Sequence, residues 1–302
     1  MQMNIVIWGY CYSGTILFNK LRGDSKYNVI GFADNSKEKQ RFFVNGHKII
    51  SLDECKTMHK ELDYSVIIAN SKWFEVGLQL EEFGIPIFGI FIDGEIRKYK
   101  QAHFSDLYGK SEVKLYAGDI CDEVNLRDPN LYGLSISKGD EKHIYHDITK
   151  KYPLPDNFVS SYVAEHVFEH IEYSMLTQTI NEIYRVLKIG AKLRICLPDY
   201  NSPWLKQLSM CDKYGNIFFD ANGGGVFQYE KATGGGHLWF PTYTTVKNCI
   251  DKTMFNNVEF IRFRNRDESI FERSFDNSRE YLHRMETNHG SNDANIIIDC
   301  IK

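Results

Sequence analysis

The chain has 302 residues, enough for two domains of ordinary size, each with its own core. Hydrophobic residues make up 43% and charged residues 25%, which excludes a disordered or fibrous chain. A net charge of -4 with both signs interspersed leaves no footprint for nucleic acid or an anionic membrane, and no apolar run is long enough to span a bilayer.

The start, MQMNIVIWGYCYSG, lacks the basic segment and cleavage site of a secretory signal, so a cytoplasmic protein is expected. The seven cysteines are scattered with no C-x-x-C, which predicts reduced thiols. Residues 3–8 form a continuous apolar run and predict a strand. GYCYSG follows, then the helical TILFNKLRG. YNVIGFADN predicts a second strand, and HKII, SLDECKTMHKEL and YSVIIAN repeat the strand–helix–strand order. SKWFEVGLQLEEFG predicts a helix and IPIFGIF a further strand. This alternation predicts an α/β fold, doubly wound on a parallel sheet.

Gly9, Cys11 and Gly14 occupy the three fixed positions of G-x-G-x-x-G between the first strand and first helix. Gly9 permits the tight turn and Gly14 close helix packing, while Cys11 crowds the place where a pyrophosphate nears the backbone. Asp34 ends the second strand, where an acid would meet a ribose. Gly9, Cys11, Ser13, Gly14 and Asp34 are therefore candidate residues for one nucleotide or a nucleotide-sugar. A structural module without ligand is the other reading. IVIWGYCYSG, VIGFADN, VNGHKIISLDE and YSVIIANS resemble the N-terminal nucleotide-sugar-binding module of bacterial surface-glycan enzymes, over about residues 1–92.

The polar segment 93–111 reads as a linker, giving domains 1–104 and 105–302. Beyond it, EVKLYAG, LYGLSIS, HIYHD and FVSSYVA predict four strands. A helix is expected over 167–187, with Leu176, Ile180, Ile183, Tyr184 and Leu187 on one stripe and Gly190 as its terminator. AKLRICLP, NVEFIRF and ANIIIDCI predict the remaining strands.

His166-Val167-Phe168-Glu169-His170 fits H-x-x-E-H, in which two histidines one helical turn apart hold zinc. The string falls at a strand-to-helix junction, where open α/β sheets bind small ligands, and it has no evident third ligand. No metal is expected. His237 follows Gly234-Gly235-Gly236, a stretch able to fold over a site, with Trp239 and Phe240 as an apolar wall. Gly223-Gly224-Gly225 reads as a lid hinge or a turn. An imidazole has the right pKa to take a hydroxyl proton, so His166 and His237 are the catalytic candidates.

The stretch HDITKKYPLPDNFVSSYVAEHVFEHIEYSMLTQTINEIYRVLKIGAKLRICLPDY resembles class I S-adenosylmethionine-dependent methyltransferases from their third strand to their fifth. FDANGGGVF, GGGHLWFPTYTTVKNCIDKTMF and NIIIDCIK resemble a branch encoded beside glycan genes. The resemblance spans 112–302 and implies a second doubly wound, Rossmann-like domain. Its strand order would be 3-2-1-4-5-7-6, with an antiparallel last strand at 294–301 and S-adenosylmethionine as cofactor. Carried over by position, Gly118 and Asp119 face the methionine part, Ser135 and Ser137 the ribose, and Asp147 and Ile148 the adenine. Ala164, Glu165 and His166 lie beside the sulfonium. Against the family pattern, YAGDICDE holds one glycine and no acid ends GLSIS. The implied activity is methyl transfer to a sugar or small glycan-linked acceptor in capsule or other surface polysaccharide biosynthesis. The partner would be a sugar or nucleotide-sugar, and homo-oligomerisation is left open. The alternative is a non-catalytic pair of modules binding a nucleotide or nucleotide-sugar.

Overall fold

The computed structural model of the chain describes residues 2–121, 123–229, 231–273, 282 and 294–302. The chain divides into two compact units, Met1–Gln101 with Gly139–Glu141, and Ala102–Lys138 with Lys142–Lys302. Among the described residues no helix is long and apolar enough to cross a membrane, and all seven cysteines are free thiols.

The first unit runs β1 (Met3–Trp8), α1 (Tyr12–Leu21), β2 (Tyr27–Ala33), β3 (Phe43–Val44), β4 (His47–Ile50), α2 (Leu52–His59), β5 (Ser65–Ile68), α3 (Trp73–Glu82), β6 (Ile87–Ile92) and β7 (Glu95–Arg97). Its sheet has the order β3-β4-β2-β1-β5-β6-β7. The inner pairs are parallel, and the short β3 and β7 are antiparallel edges. Ile5, Val6, Ile7 and Trp8 are all fully buried because β1 is covered on both faces, which is why it reads as an unbroken apolar run. The polar segment 93–111 is not a bare linker, since β7 lies within it and pairs with β6.

The second unit opens with β8 (Lys114–Ala117), α4 (Glu123–Arg127), β9 (Leu131–Ser135), β10 (His143–Tyr145) and β11 (Val159–Glu165). It continues through α5 (Tyr173–Val186), β12 (Leu187–Pro198), α6 (Pro203–Leu208), β13 (Ser209–Cys211), β14 (Ile217–Asp220), β15 (Val226–Gln228) and β16 (Lys231–Thr233). It closes with α7 (Tyr243–Ile250), β17 (Asn257–Arg264), β18 (Ile270–Glu272) and β19 (Asn295–Ile301). The main sheet has the order β10-β9-β8-β11-β12-β19-β17-β18. Taking β8, β9, β10, β11, β12, β17 and β19 as strands one to seven, this is 3-2-1-4-5-7-6. β19 is antiparallel to both neighbours, as the resemblance implied.

Two expected boundaries are corrected. Residues 168–170 form a single 3-10 turn and α5 starts only at Tyr173. The apolar stripe holds from there, with Leu176, Ile180, Ile183 and Val186 buried. At the other end α5 stops at Val186 and β12 begins at once. Gly190 is not a helix terminator. It lies inside the strand at φ +80, where β12 bulges between its pairings with Val159 and Ser161.

β19 is fastened to β12 by a buried fork. Arg194 Nε and Nη2 donate to the two Asp299 oxygens at 2.8 Å each, and Lys192 Nζ lies 3.2 Å from the same carboxylate. Burial pushes the Asp299 carboxyl up, but Arg194 and Lys192 outweigh it and hold it below its ordinary value. A depressed carboxyl contributes stability above its unfolded pKa of about 3.9 and loses it as pH falls through the lower folded value. Arg194→Ala should lower unfolding stability at neutral pH by about 3 kcal/mol, the low end for a broken buried pair, because Lys192 remains. Denaturant titration should also show a shallower acid loss below about pH 4 in the variant. Unchanged midpoints at both pH values would remove the fork from the stability of the sheet.

Candidate active site

In the first unit the glycine turn is built by close approach. Gly9 has φ +110, and a Cβ on Gly14 would lie 2.0 Å from the Gly9 carbonyl oxygen, so only glycine fits where α1 starts. Cys11 Sγ donates to the Ala69 carbonyl at 3.0 Å. The Asp34 carboxylate accepts from Tyr10 N–H at 3.0 Å, Ser36 N–H at 2.9 Å and Lys39 Nζ at 2.9 Å. These bonds hold the carboxylate, the candidate ribose contact, against the turn after β1. Ser13 lines a cleft of about 530 Å³ with Tyr12, Asn70, Ser71 and Trp73.

In the second unit the carboxyl ends of the first two strands form a polar rim. Gly118 leaves β8 at φ +88, and Asp119 Oδ2 accepts from Ser137 Oγ at 3.4 Å. The Ser137 backbone N–H donates to Ser135 Oγ at 3.1 Å. The loop after Gly118 is held by a residue that sequence reading missed. The buried His143 imidazole accepts the Ile120 N–H through Nε2 at 2.9 Å. Gly133 makes room for it, because a Cβ there would lie 2.5 Å from His143 Cδ2. Asp147 Oδ1 accepts from Thr149 N–H and Oγ1–H, and Ile148 is buried. Ala164 and Glu165 are buried at the end of β11, where Tyr116 O–H donates to Glu165 at 2.9 Å.

β11 ends abruptly. His166 still donates its N–H to the Cys196 carbonyl, then turns into the left-handed region at φ +54, a strained conformation for a residue with a side chain. The 3-10 turn that follows puts the Glu169 carboxylate at zero exposure. Neither carboxylate oxygen has a hydrogen-bond partner among the described residues. What faces it is imidazole. His166 Nδ1 lies 3.3 Å and His237 Nε2 3.7 Å from Oε1.

His237 and His170 meet at 4.8 Å between ring centroids, edge to face. His170 Nδ1 lies 2.8 Å from the Gly235 carbonyl. His237 Nδ1 lies 2.6 Å from the Tyr200 hydroxyl, which itself donates to Asp220 Oδ2 at 2.6 Å. Two bonds clamp the segments together, from the Leu238 backbone N–H to Glu169 O at 2.8 Å and from the Trp239 indole Nε1–H to Phe168 O at 2.9 Å. Trp239 and Phe240 were expected as a wall over the site. Trp239 packs on Tyr173, and Phe240 on Tyr200, which bonds His237. The two glycine clusters are seats for the histidine. A Cβ on Gly223 would lie 2.6 Å from the His237 ring, and one on Gly236 2.6 Å from the Gly224 carbonyl.

Burial pushes the Glu169 carboxyl up, but His166, His237 and His170 outweigh it and hold it below its ordinary value. Burial pushes His237 down, so its imidazole is neutral at pH 7. Burial also opposes a charge on His166, yet the contacts with Cys196 and Glu169 prevail and raise it well above the ordinary value. The structure thus brings His166, Glu169, His170 and His237 together at the end of β11. The expectation of no metal rested on the pair His166 and His170 lacking a third ligand; the group that the structure gathers is a different one, without His166. Glu169, His170 and His237 present ligand atoms within 4.8 Å of one another. Sequence gave no sign of Tyr200 or Asp220 beyond their standing beside LPD and the first glycine cluster.

Residues 108–195 match the family model described as methyltransferase domain, and residues 1–91 the model described as C2185-like, N-terminal. No curated protein matches the chain. Among solved structures, a SAM-dependent methyltransferase from Archaeoglobus fulgidus is 15% identical, over 66% of this chain and 90% of its own, with a TM-score of 0.38. One from Thermotoga maritima, described as a possible histamine N-methyltransferase, is 15% identical over 65% and 84%, with a TM-score of 0.37. One from Methanosarcina mazei is 10% identical over 67% and 98%, with a TM-score of 0.39. At these values no residue correspondence carries to this chain. The second unit thus holds the stretch that matches the methyltransferase domain, and the cofactor that the sequence resemblance implies for it is S-adenosylmethionine. The rim suits that cofactor in kind. Among the described residues a Cβ on Gly118 would meet only Val167 Cγ2, at 3.5 Å, beside the polar Asp119 and Ser137.

Gly223→Ala should displace the His237 ring and break its bond to Tyr200. The His237 ring nitrogen resonances should shift, with a stability loss of about 1–3 kcal/mol for overpacking. Unshifted ring signals in a folded variant would show that Gly223 does not seat the histidine.

Proposed function

We propose that the chain transfers the S-adenosylmethionine methyl group to a hydroxyl of a sugar or small glycan-linked acceptor, in the cytoplasm. The observation that carries this reading is the cluster of His166, Glu169, His170 and His237 at the end of β11, adjoining the polar rim of Gly118, Asp119, Ser135 and Ser137. The cofactor supplies an activated methyl on a positive sulfur. The protein must align the acceptor oxygen with that methyl, exclude water and ease loss of the hydroxyl proton.

In this reading Gly118 and Asp119 hold the methionine part, Ser135 and Ser137 the ribose, and Asp147 and Ile148 border the adenine. Ala164, Glu165 and His166 lie at the sulfonium end. His237 meets the acceptor hydroxyl through Nε2, the ring nitrogen turned toward Glu169. His166 positions acceptor or cofactor. A sugar acceptor is supported by the first unit, whose glycine turn adjoins a cleft mixing aromatic Tyr12 and Trp73 with Ser13, Asn70 and Ser71. Aromatic faces stack on bases and sugars while short polar groups meet hydroxyls. Gly9, Cys11 and Gly14 shape that turn, and Asp34 closes it.

Calorimetry should show one S-adenosylhomocysteine bound per chain, with binding lost in Gly118→Val. His237→Ala should leave that affinity nearly unchanged while turnover falls about 10²–10⁴-fold, the worth of assistance to proton removal. Methyl-labelled cofactor offered with a panel of nucleotide-sugars should label at least one of them. Absence of label from every sugar, with the cofactor bound, would overturn the acceptor class. Absence of cofactor binding would favour a two-module binding protein.

A further inference from the structure

We propose that Glu169, His170 and His237 form a binding site for one divalent transition-metal cation, open on one side to the acceptor. The metal site's role in turnover rests on the methyl-transfer reading, and with a cation bound His237 Nε2 is its ligand and acts on the acceptor hydroxyl only through the cation.

The proton inventory carries the argument. His170 Nδ1 faces a carbonyl oxygen, which can only accept, so the ring proton sits on Nδ1 and Nε2 keeps its lone pair. Tyr200 gives its hydroxyl proton to Asp220, so its oxygen receives the proton on His237 Nδ1. His237 Nε2 is then also bare, and it is this atom that lies 3.7 Å from Glu169 Oε1. A ring nitrogen of each histidine and a Glu169 carboxylate oxygen lie within 4.8 Å of one another, His237 offering its bare Nε2. The carboxylate is fully buried and hydrogen-bonded through neither oxygen among the described residues. His166 Nδ1, 3.3 Å from Oε1, offsets part of the carboxylate charge, and a cation among the two imidazoles and the carboxylate would offset the rest. A carbonyl behind one histidine, and a tyrosine backed by an aspartate behind the other, are the kind of outer partners that orient metal-binding imidazoles.

Two nitrogens and one carboxylate suit zinc, manganese, cobalt or iron better than magnesium or calcium, and three protein ligands leave positions open. The ligand pair is not the one the H-x-x-E-H string spells. His166 holds Nδ1 3.3 Å from Glu169 Oε1 and Nε2 4.0 Å from Cys196 Sγ, and it is His237 that clusters with Glu169 and His170. His170 is solvent-exposed, which leaves the cluster an approach from that side. An acceptor hydroxyl reaching the open positions would lose its proton to water more readily. Its oxygen would then form the new bond to the methyl carbon as the carbon–sulfur bond breaks, and that bonding pair stays on sulfur.

The test uses the full chain, stripped with a chelator and titrated separately with Co²⁺, Mn²⁺ and Zn²⁺. One cation per chain is expected, with a cobalt spectrum free of thiolate charge-transfer bands, which separates this site from the free cysteines. His170→Ala, at an exposed position, and His237→Ala should each weaken binding at least about tenfold, and Tyr200→Phe by about 10–100-fold. His166→Asn, which tolerates the left-handed backbone, should keep the cation. Absence of stoichiometric binding of all three cations, survival of binding in His170→Ala, or its loss in His166→Asn would each overturn the site. S-adenosylhomocysteine titration of the same samples keeps the two readings apart. A bound cation without cofactor binding upholds the site and overturns its role in methyl transfer.

Discussion

A carboxylate sealed from water at zero exposure, with no hydrogen bond to either oxygen among the described residues, is the constraint around which the second unit is arranged. Such a group is tolerable only where positive or ligating partners surround it. Glu169 reaches that position because the chain leaves β11 through a left-handed His166 and a single 3-10 turn instead of entering the helix directly. The late start of α5 follows from this. So does the need for glycine at 223 and 236, because His237 must be delivered from a distant loop into space that a Cβ would occupy. Tyr200 and Asp220 then fix the ring from behind.

The two units solve the same turn differently. After the first strand of each comes a glycine with positive φ, Gly9 and Gly118. Around Gly9 the helix packs so tightly that Gly14 touches the turn, and Asp34 spends its oxygens on backbone and lysine. Around Gly118 only a five-residue helix, α4, follows, and a buried imidazole takes over the work of holding the loop. Among the described residues a Cβ on Gly118 would meet the Val167 side chain at 3.5 Å, whereas one on Gly9 would meet the Ala69 carbonyl oxygen and Asn70 Cβ at 3.1 Å each.

Most of the secondary structure was legible because buried parallel strands read as apolar runs and α5 carries a clean stripe. The strand order was not legible from pattern; it came with the resemblance, since nothing in local periodicity says that β19 inserts between β12 and β17. Helix boundaries failed where tertiary demands overrode local preference. Phe168 continues the apolar stripe, yet Glu169 must turn inward. Gly190 looks like a terminator but serves a bulge. At the site, His166 and His237 stood out by their neighbours, a strand end and a glycine run. Their convergence with His170 did not, because His170 and Gly235, which bond each other, lie 65 positions apart. His143, Tyr200 and Asp220 act through single hydrogen bonds, which leave no periodic trace.

The fork between Arg194 and Asp299 joins positions 105 residues apart. Until β19 arrives, one edge of β12 lacks its partner, and that edge carries Leu193, Ile195 and Leu197. At ribosomal rates of about 5–20 residues per second, the edge stands open for roughly 5–20 s. An unpaired apolar edge is a template for pairing with another chain. The yield of folded protein is therefore a race between elongation and encounter. Slower translation of the stretch between β12 and β19, or a higher density of ribosomes on one message, tilts it toward aggregation.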